Sequence, residues 1–301
     1  METQEKAAVI GGDARAVWAA RALAKKGIGC RLYGLEKDAS GNCNGFEKGK
    51  CEAPYLLREA LSGASIVLLP LPVCRGGKTV HAPLSDNRIE LGDLCAALPE
   101  GAAVFGGYLP EELKKACKEK NCATYDLLKD EKFALANALP TAESALSLAA
   151  LRYGGVLWKS RCAVLGYGRI GRLLCRRLEA FGAKVTVFAR REESRREARH
   201  AGFEAAAFED LRAFLPKADI VFNTVPHNLL IREDFPLFKN EALYIELASP
   251  PFGISEEEAP LLPCGYVYAP GLPGRYSPVY AGKTIAEAVL AYTKAKEAGR
   301  K

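Results

Sequence analysis

Apolar residues occur in this chain as short runs that alternate with segments in which they recur every three or four positions. Two runs lead into nearly the same sequence, AVIGGDARA at 8–16 and AVLGYGRIG at 163–171. Each is followed by a segment with helical spacing and then by a second apolar run, CRLYG at 30–34 or KVTVF at 184–188. This order predicts a strand, a helix and a parallel strand, present once in each half of the chain.

Three further apolar runs follow each of these units and are typical of buried strands. In the first half they are SIVLLP, AAVFGG and CATYDLL, and in the second half DIVFNTVP, ALYIELASPP and GYVYAPGLPG. Strands that alternate with helices predict parallel sheets. We therefore predict an α/β fold with two doubly wound parallel-sheet domains and a cleft between them, the C-terminal domain being a Rossmann dinucleotide-binding domain.

Two helical segments suggest where the domains meet. The segment NALPTAESALSLAALRYGG at 137–155 begins with a proline turn and offers Thr141 as the N-cap of a linking helix. A last helix, from about Pro278 to Lys296, is expected to pack back on the first domain. The predicted division is a substrate domain of residues 1–140 plus the C-terminal helix 282–301, and an NADP-binding Rossmann domain of residues 141–281.

The two glycine turns differ in chemistry. A dinucleotide turn needs one glycine for the bend, a second for close approach of the pyrophosphate and a third for helix–strand packing. The first copy has Asp13 and Ala16 at the second and third positions, and a carboxylate there would repel a pyrophosphate. The alternative is that the second turn merely packs. We predict that it binds the cofactor through Gly166, Gly168, Arg169, Ile170 and Gly171, with Arg169 directed at the pyrophosphate.

The end of the second strand of this unit predicts which dinucleotide is bound. NAD is usually held there by an acidic residue on the ribose 2′-hydroxyl, but this strand is followed by Ala189, Arg190 and Arg191. Ala189 leaves room for a 2′-phosphate, and Arg190 can bind one with a planar charged fork. We therefore predict NADP, with Arg190 as first phosphate ligand and Arg191 as second. The alternative is a solvated, charged helix face, the interpretation that we adopt for Arg195, Arg196 and Arg199.

Composition narrows the classes of function. A chain of 301 residues with 49% hydrophobic content can form two cores. The net charge of +6 is spread along the chain, which suits anionic small molecules and does not indicate nucleic acid. The ten cysteines form no CxxC pair and there are three histidines, so we predict reduced thiols and no metal site. Without a signal sequence or an apolar run of spanning length, we expect a cytoplasmic protein that has no membrane partner.

Several motifs occur together in an order that resembles one known family. They are VIGGDAR at 9–15, NALPTAES at 137–144, VLGYGRIG at 164–171, FAR at 188–190, NTVP at 223–226, LAS at 247–249 and APGLPG at 269–274. In this combination the chain resembles, nearly end to end, the A subunit of dipicolinate synthase, an NADP-dependent, Rossmann-type oxidoreductase of spore-forming bacteria. It departs from the family after LAS. In the family, LAS is followed by one residue, commonly Arg or Ser, and then by the sequence PGG; this chain has Pro250, Pro251, Phe252 and Gly253 instead.

The resemblance implies oxidation of dihydrodipicolinate to dipicolinate, which is pyridine-2,6-dicarboxylate, with NADP as hydride acceptor. It also implies sporulation as the setting, in the cytoplasm of the mother cell, and a hetero-oligomer with a smaller, flavoprotein-like B subunit; a homo-oligomer is also compatible with the sequence. Two other functions remain open. One is another NADP-dependent dehydrogenase of 2-hydroxyacids or amino acids, which is disfavoured because no histidine lies near a matching acid in the sequence. The other is a dinucleotide-binding sensor without turnover.

Catalysis of the implied reaction mainly requires that a flat dianion be positioned against the nicotinamide. Arg15 is the predicted carboxylate clamp, with Asp13 as its orienter or as a proton acceptor; the alternative is a surface salt bridge between the two. Thr141 and Ser249 are expected to add neutral hydrogen bonds. His227 is a candidate acid or base, against the alternative of a surface histidine. The predicted contacts to the nicotinamide ribose and ring are Asn223, Thr224 and Pro226.

Overall fold

The computed structural model describes residues 5–37, 46 and 49–298. The chain divides into two compact units, which we call the first and the second domain: Met1–Asn137 with Pro273–Lys301, and Ala138–Leu272. Residues 1–4 and 299–301 of the predicted first domain lie outside the described residues.

The first domain contains a six-stranded parallel sheet in the order β3-β2-β1-β4-β5-β6. The strands are β1 (Lys6–Ile10), β2 (Gly29–Tyr33), β3 (Cys51–Glu52), β4 (Ile66–Leu68), β5 (Ala103–Gly106) and β6 (Ala123–Asp126), and the helices between them are α1 (Ala14–Ala24), α2 (Leu57–Leu61), α3 (Leu91–Ala97) and α4 (Glu111–Glu119). The central strands are apolar throughout because helices cover both faces of such a sheet. Strand order reverses between β1 and β4, so the carboxyl ends of these two strands form a crevice of the kind in which open sheets bind ligands.

The second domain repeats this topology in the order β12-β11-β10-β7-β8-β9, also fully parallel. Its strands are β7 (Arg161–Leu165), β8 (Lys184–Phe188), β9 (Glu204–Ala206), β10 (Ile220–Asn223), β11 (Leu243–Glu246) and β12 (Gly265–Tyr268), with helices α6 (Arg169–Ala180), α7 (Glu192–His200) and α8 (Leu211–Phe214). Here the order reverses between β7 and β10. Two parallel-sheet α/β domains, the second of the Rossmann type, confirm the predicted fold class.

The domain boundaries differ from the predicted ones. The first falls after Asn137 rather than after residue 140, and the chain returns to the first domain at Pro273 rather than at residue 282. The second boundary lies inside the short helix α9 (Leu272–Tyr276). Leu272 is buried in the core of the second domain, whereas a Cβ atom at Gly274 would lie 2.5 Å from Asp13 Oδ2 of the first. The chain therefore passes from the second domain to the first between Leu272 and Pro273. The sequence pattern did not reveal this boundary.

The linking helix begins earlier than predicted. Helix α5 spans Glu131–Arg152 and contains Pro140, so Thr141 is a buried residue of the helix interior and its prediction as the N-cap is wrong. Asp130 supplies the capping contact instead, because its Oδ1 accepts a hydrogen bond of 2.6 Å from the Phe133 N–H. Phe133 packs in the core of the first domain. Burial of that turn stabilises helical structure ahead of a proline that would ordinarily mark a helix start.

The last helix, α10 (Pro278–Ala298), lies against α1 in the first domain. Glycine permits this close packing, since a Cβ atom at Gly282 would lie 2.5 Å from Trp18 Cβ and 2.7 Å from the Arg15 carbonyl oxygen. Ile285 and Val289 of α10 are buried in the same core. The C-terminal segment thus covers one side of the helix that follows the first glycine turn.

Cysteine chemistry departs from the prediction at one position. Eight cysteines are free thiols: Cys30, Cys74, Cys95, Cys117, Cys122, Cys162, Cys175 and Cys264. Cys51, in contrast, is disulfide-bonded, so the prediction of reduced thiols throughout is wrong there. Spacing along the sequence does not determine which thiols meet in space. In the part of the chain that the structure describes, no helix is both long and apolar enough to cross a membrane.

Candidate functional site

The second glycine turn has the geometry of an anion-binding turn. Gly166 has φ +94°, and a Cβ atom at Gly171 would lie 2.2 Å from the Gly166 carbonyl oxygen, so helix α6 packs directly on the turn. Gly168 is the N-cap of α6 and has no side chain to cap it. Apart from its neighbours in the chain, no described residue has a heavy atom within 4 Å of the place of its absent Cβ. Backbone N–H groups at this helix N-terminus are therefore accessible to a pyrophosphate. Arg169 and Ile170 form the first turn of the helix beside it.

Thr224 supports the turn from the neighbouring strand end. Its Oγ1 donates a hydrogen bond of 2.7 Å to the Leu165 carbonyl oxygen, and a Cβ atom at Gly166 would lie 2.5 Å from this hydroxyl. Thr224 thus holds the strand-to-turn junction at the crevice between β7 and β10, and its predicted contact with the nicotinamide stays a prediction.

Asn223 has a different role from the predicted one. It is fully buried, and its Nδ2 donates to Glu246 Oε1 (2.7 Å) and to the Val225 carbonyl oxygen (3.0 Å). Its Oδ1 accepts a hydrogen bond from the Val225 N–H (3.0 Å). With these groups engaged inside the protein, Asn223 positions the end of β10, and the prediction that its side chain contacts the nicotinamide ribose is wrong. The pattern of a polar residue at a strand end could not distinguish the two roles.

Glu246 is the centre of this buried network and was not among the predicted site residues. Its carboxylate accepts hydrogen bonds from Asn223, from the Ala248 N–H (3.0 Å) and from the Gly253 N–H (2.9 Å). Burial raises the pKa of Glu246, although these hydrogen bonds act in the opposite direction. The carboxylate therefore ties β10, β11 and the following loop together at the carboxyl edge of the sheet. A lone acid within the apolar run YIELA was the available signal.

The remaining candidates of the second domain lie in loops at this same edge. Pro226 and His227 are exposed in the segment after β10, and Ser249 is exposed after β11. The Ser249 carbonyl oxygen accepts a hydrogen bond of 3.2 Å from the Phe252 N–H. The altered segment after LAS is thus a tight turn in which Phe252 has φ +64°. Gly253 is buried against Asn223 and Tyr244, whereas the side chain of His227 has no hydrogen bond to any described residue.

The segment after β8 presents Arg190 and Arg191 to solvent next to the buried Ala189. Arg195 organises this segment, since its Nη1 donates to the carbonyl oxygens of Ala189 (2.7 Å) and Arg190 (2.8 Å). The interpretation of Arg195 as a merely solvated residue is therefore wrong, because its guanidinium lies over the backbone rather than in water. Arg191 is the N-cap residue of α7. No acidic side chain stands at the end of β8 itself.

The first glycine turn is occupied by the protein's own groups. Asp13 is the N-cap of α1 and accepts a hydrogen bond of 3.1 Å from the Arg15 N–H. The same carboxylate receives two bonds of 2.8 Å from the Arg15 guanidinium, one from Nε and one from Nη2. Nη2 also donates to the Leu71 carbonyl oxygen (2.8 Å). A negative charge of the protein thus sits where a bound anion would need to be.

A loop closes over this first turn. The His81 carbonyl oxygen accepts a hydrogen bond of 2.9 Å from the Gly12 N–H, and a Cβ atom at Gly11 would lie 3.1 Å from Ala82 Cβ. The Gly12 N–H, which would face a phosphate, is therefore paired with a residue that follows β4. The prediction that this turn does not bind a dinucleotide agrees with the contacts.

Asp13 and Arg15 form a salt bridge, as in the alternative prediction, but the pair is largely buried and does not lie at the surface as that prediction had it. The Arg15 side chain is 8% exposed and that of Asp13 21%. Burial raises the pKa of Asp13, but the hydrogen bonds and charge of Arg15 outweigh it, so the pKa is lowered overall. Asp13 is thus an orienter of Arg15 and a poor proton acceptor. The space beside the pair is about 10 Å³, enough for about one water molecule, which does not support Arg15 as the clamp of a dicarboxylate.

His81 is a second residue that was absent from the predicted site. It lines the same small pocket as Asp13 and Arg15, although 68 positions separate it from Asp13 (81 minus 13). Burial lowers the pKa of His81 to about 4, with further lowering by Arg75 and Arg15 and an opposing effect of Asp13. In the folded protein a histidine therefore does lie near an acid, contrary to the prediction from the sequence. Its position in a loop at the carboxyl edge of β4 was the available signal.

Two family models match the chain. Residues 6–128 match the N-terminal domain of the A subunit of dipicolinate synthase. Residues 143–250 match the NAD binding domain of D-isomer specific 2-hydroxyacid dehydrogenases. The second match coincides with the open glycine turn and supports an oxidoreductase with a nicotinamide dinucleotide cofactor.

Known proteins resemble the chain over its full length. The A subunit of dipicolinate synthase of Bacillus subtilis (strain 168) is 27% identical over an alignment of 301 positions that covers 99% of each chain. The crystal structure of the A subunit from Bacillus halodurans is 25% identical, with a TM-score of 0.82 and coverage of 97% of this chain and 98% of that one. The crystal structure of the A subunit from Bacillus subtilis is 26% identical, with a TM-score of 0.81 and coverage of 100% and 99%. The resemblance predicted from the motifs is confirmed.

Proposed function

We propose that this chain, which resembles the A subunit of dipicolinate synthase from end to end, oxidises dihydrodipicolinate to pyridine-2,6-dicarboxylate with NADP as hydride acceptor. One observation carries the proposal. The second glycine turn leaves the N-terminus of α6 open, and the neighbouring strand end offers Arg190 and no acid. The matches to dipicolinate synthase supply the substrate class.

The preference for NADP rests on charge and space at the end of β8. Ala189 is small, and Arg190 is exposed beside it with its backbone fixed by Arg195. A guanidinium can bind a 2′-phosphate with two parallel hydrogen bonds, whereas an acid at this place would select NAD. Arg190 is the proposed first ligand of that phosphate and Arg191 the second.

The residues of the second domain have three tasks in this proposal. The backbone at Gly168, Arg169 and Ile170 binds the pyrophosphate at the N-terminus of α6. Thr224 holds the turn, and Asn223 with Glu246 fixes the strand ends beside it. When bound, the nicotinamide would accept the hydride from the ring carbon, while one proton is released and the product becomes aromatic. Ser249, Pro226 and His227 stay proposed loop contacts at this edge.

The proposal extends to a partner and a setting. The relatives are A subunits of a synthase, which implies that a second kind of subunit exists. We propose that the partner of this chain is a smaller, flavoprotein-like B subunit. Sporulation, and within it the cytoplasm of the mother cell, is the setting that the same resemblance supports.

Absorbance at 340 nm tests the proposal. The purified chain, with and without the B subunit, receives freshly generated dihydrodipicolinate and either NADP or NAD. We expect absorbance to rise with NADP. In Arg190→Ala the KM for NADP should increase roughly 10- to 100-fold, as for loss of a charge-assisted hydrogen bond pair, while the KM for NAD stays unchanged.

Arg196→Ala is the matched control, since it removes the same charge from an exposed position of helix α7. An equal effect of both substitutions would mean that general charge, not a 2′-phosphate contact, sets the preference. Tight NADP binding without any reduction, in every combination of subunits, would contradict the oxidoreductase and favour a sensor.

A further inference from the structure

A cavity in the first domain is lined by two arginines to which the site described above gives no role. Its volume is about 340 Å³, within the range of small-molecule sites. The loop that follows β4 forms it, and its polar side chains are Arg75, Thr79, His81, Asn87 and Arg88. None of the described residues that line it is acidic. The cavity belongs to the loop that covers the crevice between β1 and β4.

Both guanidinium groups are available to bind an anion. The Arg75 side chain has no hydrogen bond or ion pair with any residue that the structure describes. Arg88 pairs through Nε with Glu90 Oε1 at 2.5 Å, and its two terminal nitrogen atoms form no hydrogen bond with a described residue. Each group is planar and presents N–H donors with the spacing of carboxylate oxygens.

Backbone contacts hold together the two segments of this loop that carry Arg75 and Arg88. Val80 donates a hydrogen bond to the Ile89 carbonyl oxygen (2.9 Å), and Leu91 donates one to the Lys78 carbonyl oxygen (2.8 Å). Antiparallel bridges join Cys74 to Val80 and Thr79 to Glu90. The walls of the cavity are therefore connected to each other and ordered before a ligand binds, which reduces the entropic cost of binding.

The charge balance of the cavity favours an anion. Two permanent positive charges face it without an acidic wall, and Glu90 is already paired with Arg88. His81 lies between this cavity and the Asp13–Arg15 pair. Burial and the charge of Arg75 lower the pKa of His81 to about 4, so the imidazole is neutral near pH 7.

We propose that Arg75 and Arg88 bind the two carboxylates of the substrate in this cavity, with Asn87 and Thr79 as neutral hydrogen-bond partners. The identity of the ligand rests on the proposed function; the anion site itself rests on the cavity. In this arrangement Arg15 is a positioning residue, since its guanidinium holds Asp13 and the Leu71 carbonyl oxygen at the start of the loop. The substrate clamp thus lies on the loop that covers the first glycine turn.

Calorimetric titration of the full chain with pyridine-2,6-dicarboxylate, in metal-free buffer with saturating NADP, tests the proposal. Arg75→Ala and Arg88→Ala should each raise the Kd roughly 10- to 100-fold, as for hydrogen bonds to charged groups. Arg75→Lys should recover part of the loss, because it keeps the charge without the fork. Lys78→Ala is the control, since it removes the same charge from an exposed residue of this loop that does not line the cavity; we expect less than a twofold change.

A second titration with pyridine-2-carboxylate separates a carboxylate contact from a structural effect. The unmodified chain should bind the monocarboxylate much more weakly than the dicarboxylate, and each arginine variant should discriminate less. Unchanged discrimination, or a loss in Lys78→Ala equal to that in Arg75→Ala, would overturn the proposal.

The two proposals can fail separately. If the chain forms NADPH from dihydrodipicolinate and the arginine variants keep the KM for that substrate, the cavity assignment is overturned and the proposed function stands. If the arginines govern dicarboxylate binding but no NADPH forms with either cofactor, with or without the B subunit, the cavity assignment stands and the proposed function falls.

Discussion

The two glycine turns of this chain have the same topological position and opposite contents. In the second domain the N-cap is Gly168, and no described side chain makes a capping hydrogen bond to the N-terminus of α6. In the first domain Asp13 caps α1 with its own carboxylate, and the Gly12 N–H is bonded to the His81 carbonyl oxygen. One turn is open to an anion, whereas the other is filled from within the protein.

The comparison shows that topology alone does not make a binding site. Both crevices lie where the strand order reverses, at the carboxyl ends of β1 and β4 or of β7 and β10. A helix N-terminus attracts an anion only while its N–H groups have no partner and no fixed negative charge lies in front of them. Whether a crevice can bind a dinucleotide therefore depends on two features. They are the residue at the N-cap, Asp13 or Gly168, and the loop that follows the adjacent strand.

The largest expected effect is on the filled turn. Asp13→Ala should lower the free energy of unfolding of the first domain by about 3–5 kcal/mol, because it leaves the buried Arg15 charge unpaired and α1 uncapped. Urea unfolding monitored by circular dichroism measures this loss of free energy. In the unmodified protein, the stabilisation that the Asp13 carboxylate provides should be complete above the ordinary pKa of an aspartate and should disappear as pH falls through the lowered pKa of Asp13.

Asp86→Ala is the control for this comparison, since Asp86 forms only an exposed ion pair with Lys37 at 3.6 Å. We expect a change of less than about 0.5 kcal/mol. A loss in Asp13→Ala no larger than this would mean that Arg15 does not need its partner.

The next largest effect is on the open turn. In Gly171→Ala the added Cβ would lie 2.2 Å from the Gly166 carbonyl oxygen, so the turn and α6 must separate. NADP affinity, measured by fluorescence titration, should fall by at least about 100-fold, or about 3 kcal/mol, the size of a severe overpacking effect. Ala16→Gly, at the corresponding position of the first turn, should cost about 1 kcal/mol of stability and leave NADP binding unchanged. Normal NADP affinity in Gly171→Ala would contradict the close-packed turn.

Gly168→Asp would give the second turn the N-cap of the first. The space around Gly168 accommodates the side chain, so folding should be preserved. Repulsion between the carboxylate and the pyrophosphate should weaken NADP binding roughly 30- to 100-fold, or about 2–3 kcal/mol. Gly168→Asn adds a side chain of nearly the same size without the charge, so it should lose much less affinity for NADP. Equal losses in the two variants would show that charge at the N-cap is not what distinguishes the turns.

The smallest expected effect concerns the loop that fills the first turn. His81 stays neutral in the folded protein down to about pH 4, whereas in the unfolded chain it takes up a proton near its ordinary pKa of about 6.5. Acid therefore destabilises the first domain through His81 as pH falls from about 6.5 to about 4. In His81→Gln this part of the acid sensitivity, on the order of 1 kcal/mol after allowance for partial exposure, should be absent. If the free energy of unfolding depends on pH in the same way in His81→Gln and in the unmodified protein, this role of His81 is contradicted.

Much of the fold and of the cofactor turn could be predicted because the sequence signals for them are local. Continuous apolar runs separated by helical spacing predicted both parallel sheets, and the three glycines predicted the turn that is open in the structure. The start of α5 could not be predicted in this way, since the local signal at Pro140 was opposed by burial of Phe133 in the core. Local preferences give way when tertiary packing contributes more free energy.

The substrate side was less predictable because it depends on contacts between distant segments. Arg15 was correctly paired with Asp13 from their spacing, but only the fold shows that the Leu71 carbonyl oxygen engages the same guanidinium. The sequence predicted Asn223 as a ligand contact, but in the structure its Nδ2 donates a hydrogen bond of 2.7 Å to Glu246 Oε1 on the next strand. A polar residue at a strand end can serve either a ligand or the protein, and the choice depends on the opposite strand.

By itself, the sequence determined the α/β class, the repeated strand-helix-strand unit and which of the two turns lacks the residues for a pyrophosphate. These properties follow from side-chain periodicity and from the presence or absence of a Cβ atom or a charge, which are local. Only the tertiary structure decided that His81 covers the first turn and that Arg75 and Arg88 share one cavity. The physical reason is that these groups meet through the parallel pairing of strands and the path of a long loop, and neither leaves a periodic signal in the chain.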